Sequence, residues 1–111
     1  MAYDEELANR IREQLAGESA VTEKAMFGGL AFLLNGNMSV GIWAGNELMV
    51  RVGPDAAADA LTDRHTRQPE MRGRPMRGWI VVAPEGFRSE QELAAWVGRG
   101  VGFARSLPAK S

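Results

Sequence analysis

The segment from residue 26 to residue 52 has apolar side chains at alternate positions, and this period of two is typical of β-strands. Asn35-Gly36-Asn37 interrupts the alternation and is a strong signal for a tight hairpin turn. A second turn signal, Ala44-Gly45-Asn46, interrupts it again. The segment therefore predicts an antiparallel meander of three strands, which the chain must cover on its more apolar face.

The alternation also divides the meander into two faces. The face with the larger aliphatic side chains should carry Leu30, Phe32, Leu34, Met38, Val40, Ile42, Leu48 and Val50. The second face should carry Leu33, Trp43, Met49 and Arg51 together with smaller residues. If no helix packs on the second face, these four residues form an apolar patch beside a cation, as partner and dimer surfaces often do. Single exposed apolar residues are also normal on any protein, which is the alternative interpretation.

Helical signals flank the predicted strands. Apolar residues recur every four positions between residues 3 and 15, and Pro54 can open a short helix over residues 55–61. Ser89 and Glu92 form a capping box ahead of an apolar run. That last helix contains glycines at 98, 100 and 102, so we expect it either to approach another backbone closely or to break near Gly100.

A further strand is predicted at residues 79–83, where every side chain is apolar, as in an inner strand. The element order predicts an α+β fold, a two-layer sandwich whose antiparallel sheet is covered by helices on one face. The 111 residues suffice for one core, so we expect a single domain over residues 1–111. Residues 108–111 are predicted to be a frayed tail.

Composition excludes several kinds of chemistry. The chain has no cysteine, which removes disulfides, thiol nucleophiles and cysteine metal sites. Its single histidine, His65, would need carboxylates to complete a metal site or a catalytic group. Gly28-Gly29 precedes a strand rather than a helix, so it predicts a bend and not a phosphate loop. We expect no catalytic residues, no cofactor and no metal.

The basic residues are concentrated in one segment, although the whole chain has a net charge of −1. Residues 63–77 contain five arginines against two acids, and the five are Arg64, Arg67, Arg72, Arg74 and Arg77. Arginine offers a planar fork for phosphate or carboxylate groups, so the segment is a candidate surface for phosphate or for an acidic partner. The alternative is a solvated loop whose arginines pair with acids of the first and last helices.

The N-terminal residues do not resemble a signal peptide, because they are acidic where a signal peptide is basic and then apolar. The longest apolar run, residues 30–34, is far too short to cross a bilayer. These features predict a cytoplasmic protein without membrane contact.

Four stretches of the chain resemble the TfoX N-terminal domain family. They are Met26-Phe27-Gly28-Gly29, the strand 48–52, Gly73-Arg74-Pro75-Met76-Arg77-Gly78-Trp79, and the capped helix with Leu93, Ala94 and Trp96. The family is named for bacterial regulators of natural competence, and full-length regulators carry a second, C-terminal domain. The resemblance implies a secretion-chaperone-like α+β fold with an antiparallel sheet, and it supplies no catalytic residues.

Three hypotheses about function follow. The first is a non-enzymatic interaction module that binds a protein partner, or a second copy of itself, through the second sheet face and the segment 64–77. The second is nucleic-acid binding by the same arginines. The third is a small-molecule binder or enzyme that uses His65 and a pocket near Gly28-Gly29.

Overall fold

A computed structural model of the chain describes residues 3–26, 28–43 and 45–109, and these ranges form helices and strands. The helices are α1 (Glu5–Gln14), α2 (Pro54–Ala60) and α3 (Glu90–Ser106), with a short 3₁₀ helix at Pro84–Gly86. The strands are β1 (Val21–Met26), β2 (Gly29–Leu34), β3 (Asn37–Trp43), β4 (Glu47–Arg51), β5 (Thr66–Arg67), β6 (Glu70–Met71), β7 (Arg74–Pro75) and β8 (Trp79–Val82).

Six of these strands form one antiparallel sheet in the order β1-β2-β3-β4-β8-β5, and β6 pairs with β7 in a separate small hairpin. Helices α1, α2 and α3 all contribute to one core cluster with the larger aliphatic side chains of the sheet. Phe32, Val40, Leu48, Val50 and Ile80 are fully buried in that core. The predicted α+β fold, with an antiparallel sheet covered by helices on one face, is confirmed.

The turn between β2 and β3 has the predicted conformation. Asn35 and Gly36 have φ angles of 52° and 81°, and both therefore lie in the left-handed region that type I′ hairpin turns require. Asparagine and glycine are the residues that adopt this region at the lowest cost. Of the second predicted turn, Gly45 and Asn46 are left-handed too, with φ angles of 82° and 60°, while Ala44 lies outside the described residues.

Two strands of the sheet were not predicted from the sequence. β1 is an edge strand whose residues 22–25 are all exposed, so it lacks the apolar alternation that marks a half-buried strand. β5 has two residues. It lies in residues 62–78, where apolar side chains recur with no regular spacing, and so does the hairpin of β6 and β7. Both strands are held by backbone pairing to a neighbour that is far more apolar.

A β-bulge in β3 overturns one prediction about the faces. Phe32 pairs with Val40 and Leu33 pairs with Met38, which leaves Ser39 as the extra residue. The Ser39 hydroxyl donates a hydrogen bond to the Phe32 carbonyl at 3.0 Å. Because the extra residue reverses the alternation, Met38 lies on the second face and not on the core face, as had been predicted from a regular period.

α3 is continuous, so the predicted break near Gly100 is wrong, whereas the predicted close approach is confirmed there. A Cβ atom on Gly100 would lie 2.5 Å from the Ser39 carbonyl oxygen. Gly98 and Gly102 have open space around them. The capping box is confirmed, because the Ser89 hydroxyl accepts from the Glu92 N–H at 3.0 Å and the Glu92 carboxylate accepts from the Ser89 N–H at 3.1 Å.

The end of the chain is attached to the bulged strand. The side-chain amide of Asn37, which is only 1% exposed, donates to the Pro108 carbonyl at 2.9 Å. Lys110 and Ser111, the last part of the predicted frayed tail, lie outside the described residues.

We expect Gly100→Ala to lower the free energy of unfolding by about 1–3 kcal/mol, because the added methyl group overlaps the backbone of β3. Gly98→Ala is the matched control in the same helix, and it should raise stability by up to about 1 kcal/mol, since alanine favours a helix and the site is open. Urea denaturation of both variants measures the difference. Equal effects at the two positions would contradict the close contact of α3 with β3.

Candidate functional site

The face of the sheet opposite the helices is the first candidate site, and we call it the open face. The pairing registers place one row of side chains straight across it, formed by Lys24, Ala31, Gly41, Met49, Val81 and Arg67. A lysine and an arginine thus end a row whose inner members are all apolar or small. Among the described residues, the helices contribute their buried side chains to the other face.

A small apolar hollow of about 20 Å³ lies in the middle of the open face. Ala31 and Gly41 form its floor, and the side chains around it are Met26, Met38, Trp43 and Met49. Glycine is required at position 41 because a Cβ there would lie 2.9 Å from the Leu30 carbonyl oxygen. The same close spacing of β2 and β3 that excludes a side chain at Gly41 therefore leaves the hollow unfilled.

The four residues predicted for this surface all lie on the open face, but they differ in exposure. Leu33 and Trp43 are both partly exposed. Leu33 lies beside Met38 near one end of the hollow, and Trp43 lies beside Glu47 near the other end. Met49 is only 6% exposed, and it belongs to the wall of the hollow rather than to an exposed patch. Sequence reasoning placed Arg51 correctly, because it alternates with Met49 along β4.

Arg51 lies at the rim of the open face between two aromatic rings. Its guanidinium carbon lies 5.6 Å from the centre of the Trp79 ring and 5.4 Å from that of the Phe103 ring. Both distances are within the range of a cation–π interaction. Phe103 belongs to α3, so these contacts connect the open face to the helical layer and fix the position of this cation.

Sequence reasoning missed three members of the open face, and the reasons differ. Lys24 and Met26 lie on β1, which was not recognised as a strand. Met38 was assigned to the other face because a bulge leaves no mark in a pattern of apolar residues. The pair Gly28-Gly29 could have revealed β1, because glycine favours a turn between two strands. Gly28 does adopt the left-handed conformation of such a turn, with a φ of 76°, while Phe27 lies outside the described residues.

Arg67 is the only one of the five predicted arginines that has an ion pair among the described residues. Its guanidinium donates two hydrogen bonds to the Glu47 carboxylate, at 2.6 and 2.7 Å, across the end of β8. These bonds hold the pKa of Glu47 below its ordinary value of 4.5. The pair closes the edge of the open face and leaves Arg67 less available to a ligand.

The other four arginines lie at the surface without a carboxylate partner in the described part of the chain. Arg72 and Arg74 belong to the small hairpin of β6 and β7, where Arg72 has a φ of 55° at the tip. Arg77 lines an open groove of about 310 Å³ beside α2. The Arg64 Nε–H donates to Nε2 of His65 at 3.4 Å.

The alternative interpretation of these arginines, pairing with acids of the first and last helices, is not what the structure shows. Two of those acids have other partners: Glu90 of α3 pairs with Arg10 at 2.6 Å, and Glu5 of α1 lies 3.6 Å from Arg12. The Arg72 and Arg74 side chains are therefore available to an anion from outside the chain.

The residues proposed for small-molecule chemistry do not converge. His65 precedes β5, and its backbone N–H donates to the Asp63 carboxylate at 2.8 Å while its carbonyl accepts from Ala83 at 2.8 Å. Its side chain packs against Gly86, where a Cβ would lie 2.9 Å from the His65 Cβ. Gly28 lies between β1 and β2 with a φ of 76°, and Gly29 begins β2, at the edge of the sheet opposite β5, so the chain turns here as predicted.

Metal binding and membrane insertion find no support in the described residues. In residues 3–26, 28–43 and 45–109, no group of three or more histidine, aspartate or glutamate side chains is placed to hold a metal ion. None of the helices in these ranges has the length and apolar character needed to cross a membrane.

Comparison with known proteins identifies the family. The TfoX N-terminal domain model matches residues 13–104, which include every strand, α2 and nearly all of α3. The chain belongs to the TfoX N-terminal domain family. No curated protein matches it. Membership of this family supports a regulatory or interaction type of domain, and this support is at the level of the family.

We expect Glu47→Gln to lower stability by up to about 1 kcal/mol at pH 7, the range of partly exposed ion pairs. Because the folded pKa of Glu47 is depressed, its contribution is present above the unfolded pKa and disappears as the pH falls below 4.5. Urea denaturation at pH 7 and pH 3 should therefore show a difference between wild type and variant that shrinks in acid.

Glu70→Gln is the matched control for this measurement, since it removes the same charge from an exposed position with no ion pair in the described ranges. A loss of stability that is the same at both pH values in Glu47→Gln would contradict a stabilising ion pair with Arg67.

Proposed function

We propose that this TfoX N-terminal domain is a non-enzymatic interaction module that binds a protein partner, or a second copy of itself, through the open face. One observation carries the proposal: an apolar hollow lined by methionines and a tryptophan lies on the sheet face opposite the helices, with cations at its margins. Side chains of this kind are enriched in the centres of protein interfaces.

The chemistry of the hollow favours binding over catalysis. Its lining is apolar, and the charged groups beside it are the cations Lys24 and Arg51 and the carboxylate of Glu47, which already binds Arg67. General acid–base work needs a group whose pKa lies near the working pH, and nucleophilic work needs an activated nucleophile. A surface of apolar side chains flanked by cations instead selects for the shape and charge of a partner.

Site-specific photo-cross-linking in cells tests this proposal. We expect a photoreactive amino acid placed at Leu33 or Met38 to give adducts of defined mass, because both side chains are partly exposed on the open face. Twice the mass of the chain would identify a second copy, and any other defined mass would identify a different protein.

Gln91 and Ala95 are the matched control positions, since both are exposed on the helical layer. The proposal fails if positions 33 and 38 give no adducts, or the same adducts as positions 91 and 95.

A second candidate function is nucleic-acid binding by the hairpin of β6 and β7. The observation that favours it is the pair of exposed arginines, Arg72 and Arg74, that have no carboxylate partner among the described residues. Arginine side chains that contact phosphates release counterions from the nucleic acid, and this release makes the affinity depend steeply on salt.

For this second candidate, we expect fluorescence anisotropy with mixed DNA and RNA oligomers to show binding that weakens as salt rises. The double variant Arg72→Asn/Arg74→Glu should bind more weakly to all sequences, and its log–log salt slope should be shallower by about 0.9 for each duplex phosphate that it no longer touches. Asparagine tolerates the left-handed conformation at position 72. Arg88→Glu, at an exposed position just before α3, is the control, and an equal loss in that variant would contradict a specific role of the hairpin.

A further inference from the structure

The apolar surface around the hollow has the length of a short helical segment. The row with Leu33 and Met38 and the row with Met26 and Gly29 lie four residues apart along β2, which corresponds to about 13 Å. A helix covers that distance with about nine residues, or two to three turns. Between the two rows lie Ala31 and Gly41, which are buried, so a helix on this face would contact the partly exposed side chains around them, Met26, Met38 and Trp43.

The cations beside the hollow are spaced for a helix that lies along the strands. Lys24 on β1 and Arg51 on β4 are three strand spacings apart, which is about 14 Å across the sheet. An α-helix with its side chains has a diameter of about 10–12 Å. A helix in the hollow would therefore have a cation on each flank: Lys24, which is exposed, and Arg51, held in place by Trp79 and Phe103.

The charges of the open face argue against a second copy as the occupant. Lys24 and Arg51 of one chain would meet the same cations of the other, and like charges at an interface oppose binding. Glu47 is the acid of this face in β4, and Arg67 already binds both of its carboxylate oxygens. The face therefore lacks a spare acid, in its described part, with which to neutralise a copy of itself.

Methionine gives the walls of the hollow the ability to adapt to different apolar side chains. Met26, Met38 and Met49 have unbranched, polarisable side chains that repack at low cost. Grooves of this kind take amphipathic helices whose apolar residues recur at positions i, i+3, i+4 and i+7.

We propose that the open face binds an amphipathic helix that carries acidic residues on both sides of its apolar stripe. This inference rests on the proposed function and specifies the partner of the same surface. The apolar stripe lies over Met26, Met38 and Trp43, and the flanking carboxylates lie beside Lys24 and Arg51.

Three fluorescein-labelled peptides of about 18 residues, long enough to populate a helix in water, test the inference with the full chain. The first has a leucine stripe flanked by glutamate on both sides, the second has lysine in place of every glutamate, and the third is a scrambled form of the first without a stripe. We expect the glutamate peptide to bind at least about 10-fold more tightly than either of the others, because it alone matches both the hollow and the cations.

Variants of the chain then locate the site. Lys24→Glu should raise the Kd of the glutamate peptide about five-fold, and a peptide with lysine on one flank should bind this variant more tightly than it binds wild type. Lys24 is exposed on the edge strand, so the fold should tolerate the change. Arg88→Glu, the same change of charge at an exposed position just before α3, should leave the Kd unchanged.

Methyl resonances of methionine report where the peptide lies. Met26, Met38 and Met49 should shift on titration with the glutamate peptide, whereas Met71 and Met76 near the arginine hairpin should not. Equal binding of all three peptides, binding of none, or shifts confined to Met71 and Met76 would overturn the inference.

Two further outcomes separate this inference from the proposed function. If the face methionines shift with the concentration of the chain itself and not with peptide, a second copy occupies the face, and only the inference fails. If a single-stranded oligonucleotide shifts the face methionines and the peptides do not, both proposals fail.

Discussion

The contact between α3 and the bulge in β3 organises the rest of the structure. Gly100 allows the helix to lie directly against the Ser39 carbonyl, and the Ser39 hydroxyl is bonded to Phe32 of the neighbouring strand. Two residues earlier, Asn37 binds the Pro108 carbonyl beyond the end of α3. This cluster fixes the helix on one side of the sheet and, through the extra residue of the bulge, determines the side on which Met38 lies.

The open face follows from the same constraint. The three helices pack on one face of the sheet and form the core with it. The opposite face carries the remaining side chains, with Ala31 and Gly41 in the centre, methionines around them, and cations at the margins. In the function that we propose, this hollow and the cations beside it select a partner by shape and by charge. The open face differs in this respect from the arginine hairpin of β6 and β7, which offers charged side chains without an apolar binding surface.

Much of the fold was predictable because its signals are local. The type I′ turn at Asn35-Gly36, the capping box at Ser89 and the apolar strand at 79–82 depend on the conformational preferences of a few adjacent residues. The edge strands were not predictable in the same way. β1 is exposed along its length and β5 has only two residues, so neither has the apolar alternation that marks a strand in a sequence.

The sequence by itself determined the class of fold, the three central strands with their turns, the capped helix and the concentration of arginines, because each depends on spacing and on residue type. It also placed Leu33, Trp43, Met49 and Arg51 on one face. Only the tertiary structure decided that Met38 and Lys24 join them and that Arg67 is occupied by Glu47. These outcomes depend on a bulge and on pairings between segments distant in the chain, and such contacts form only when the whole sheet is assembled.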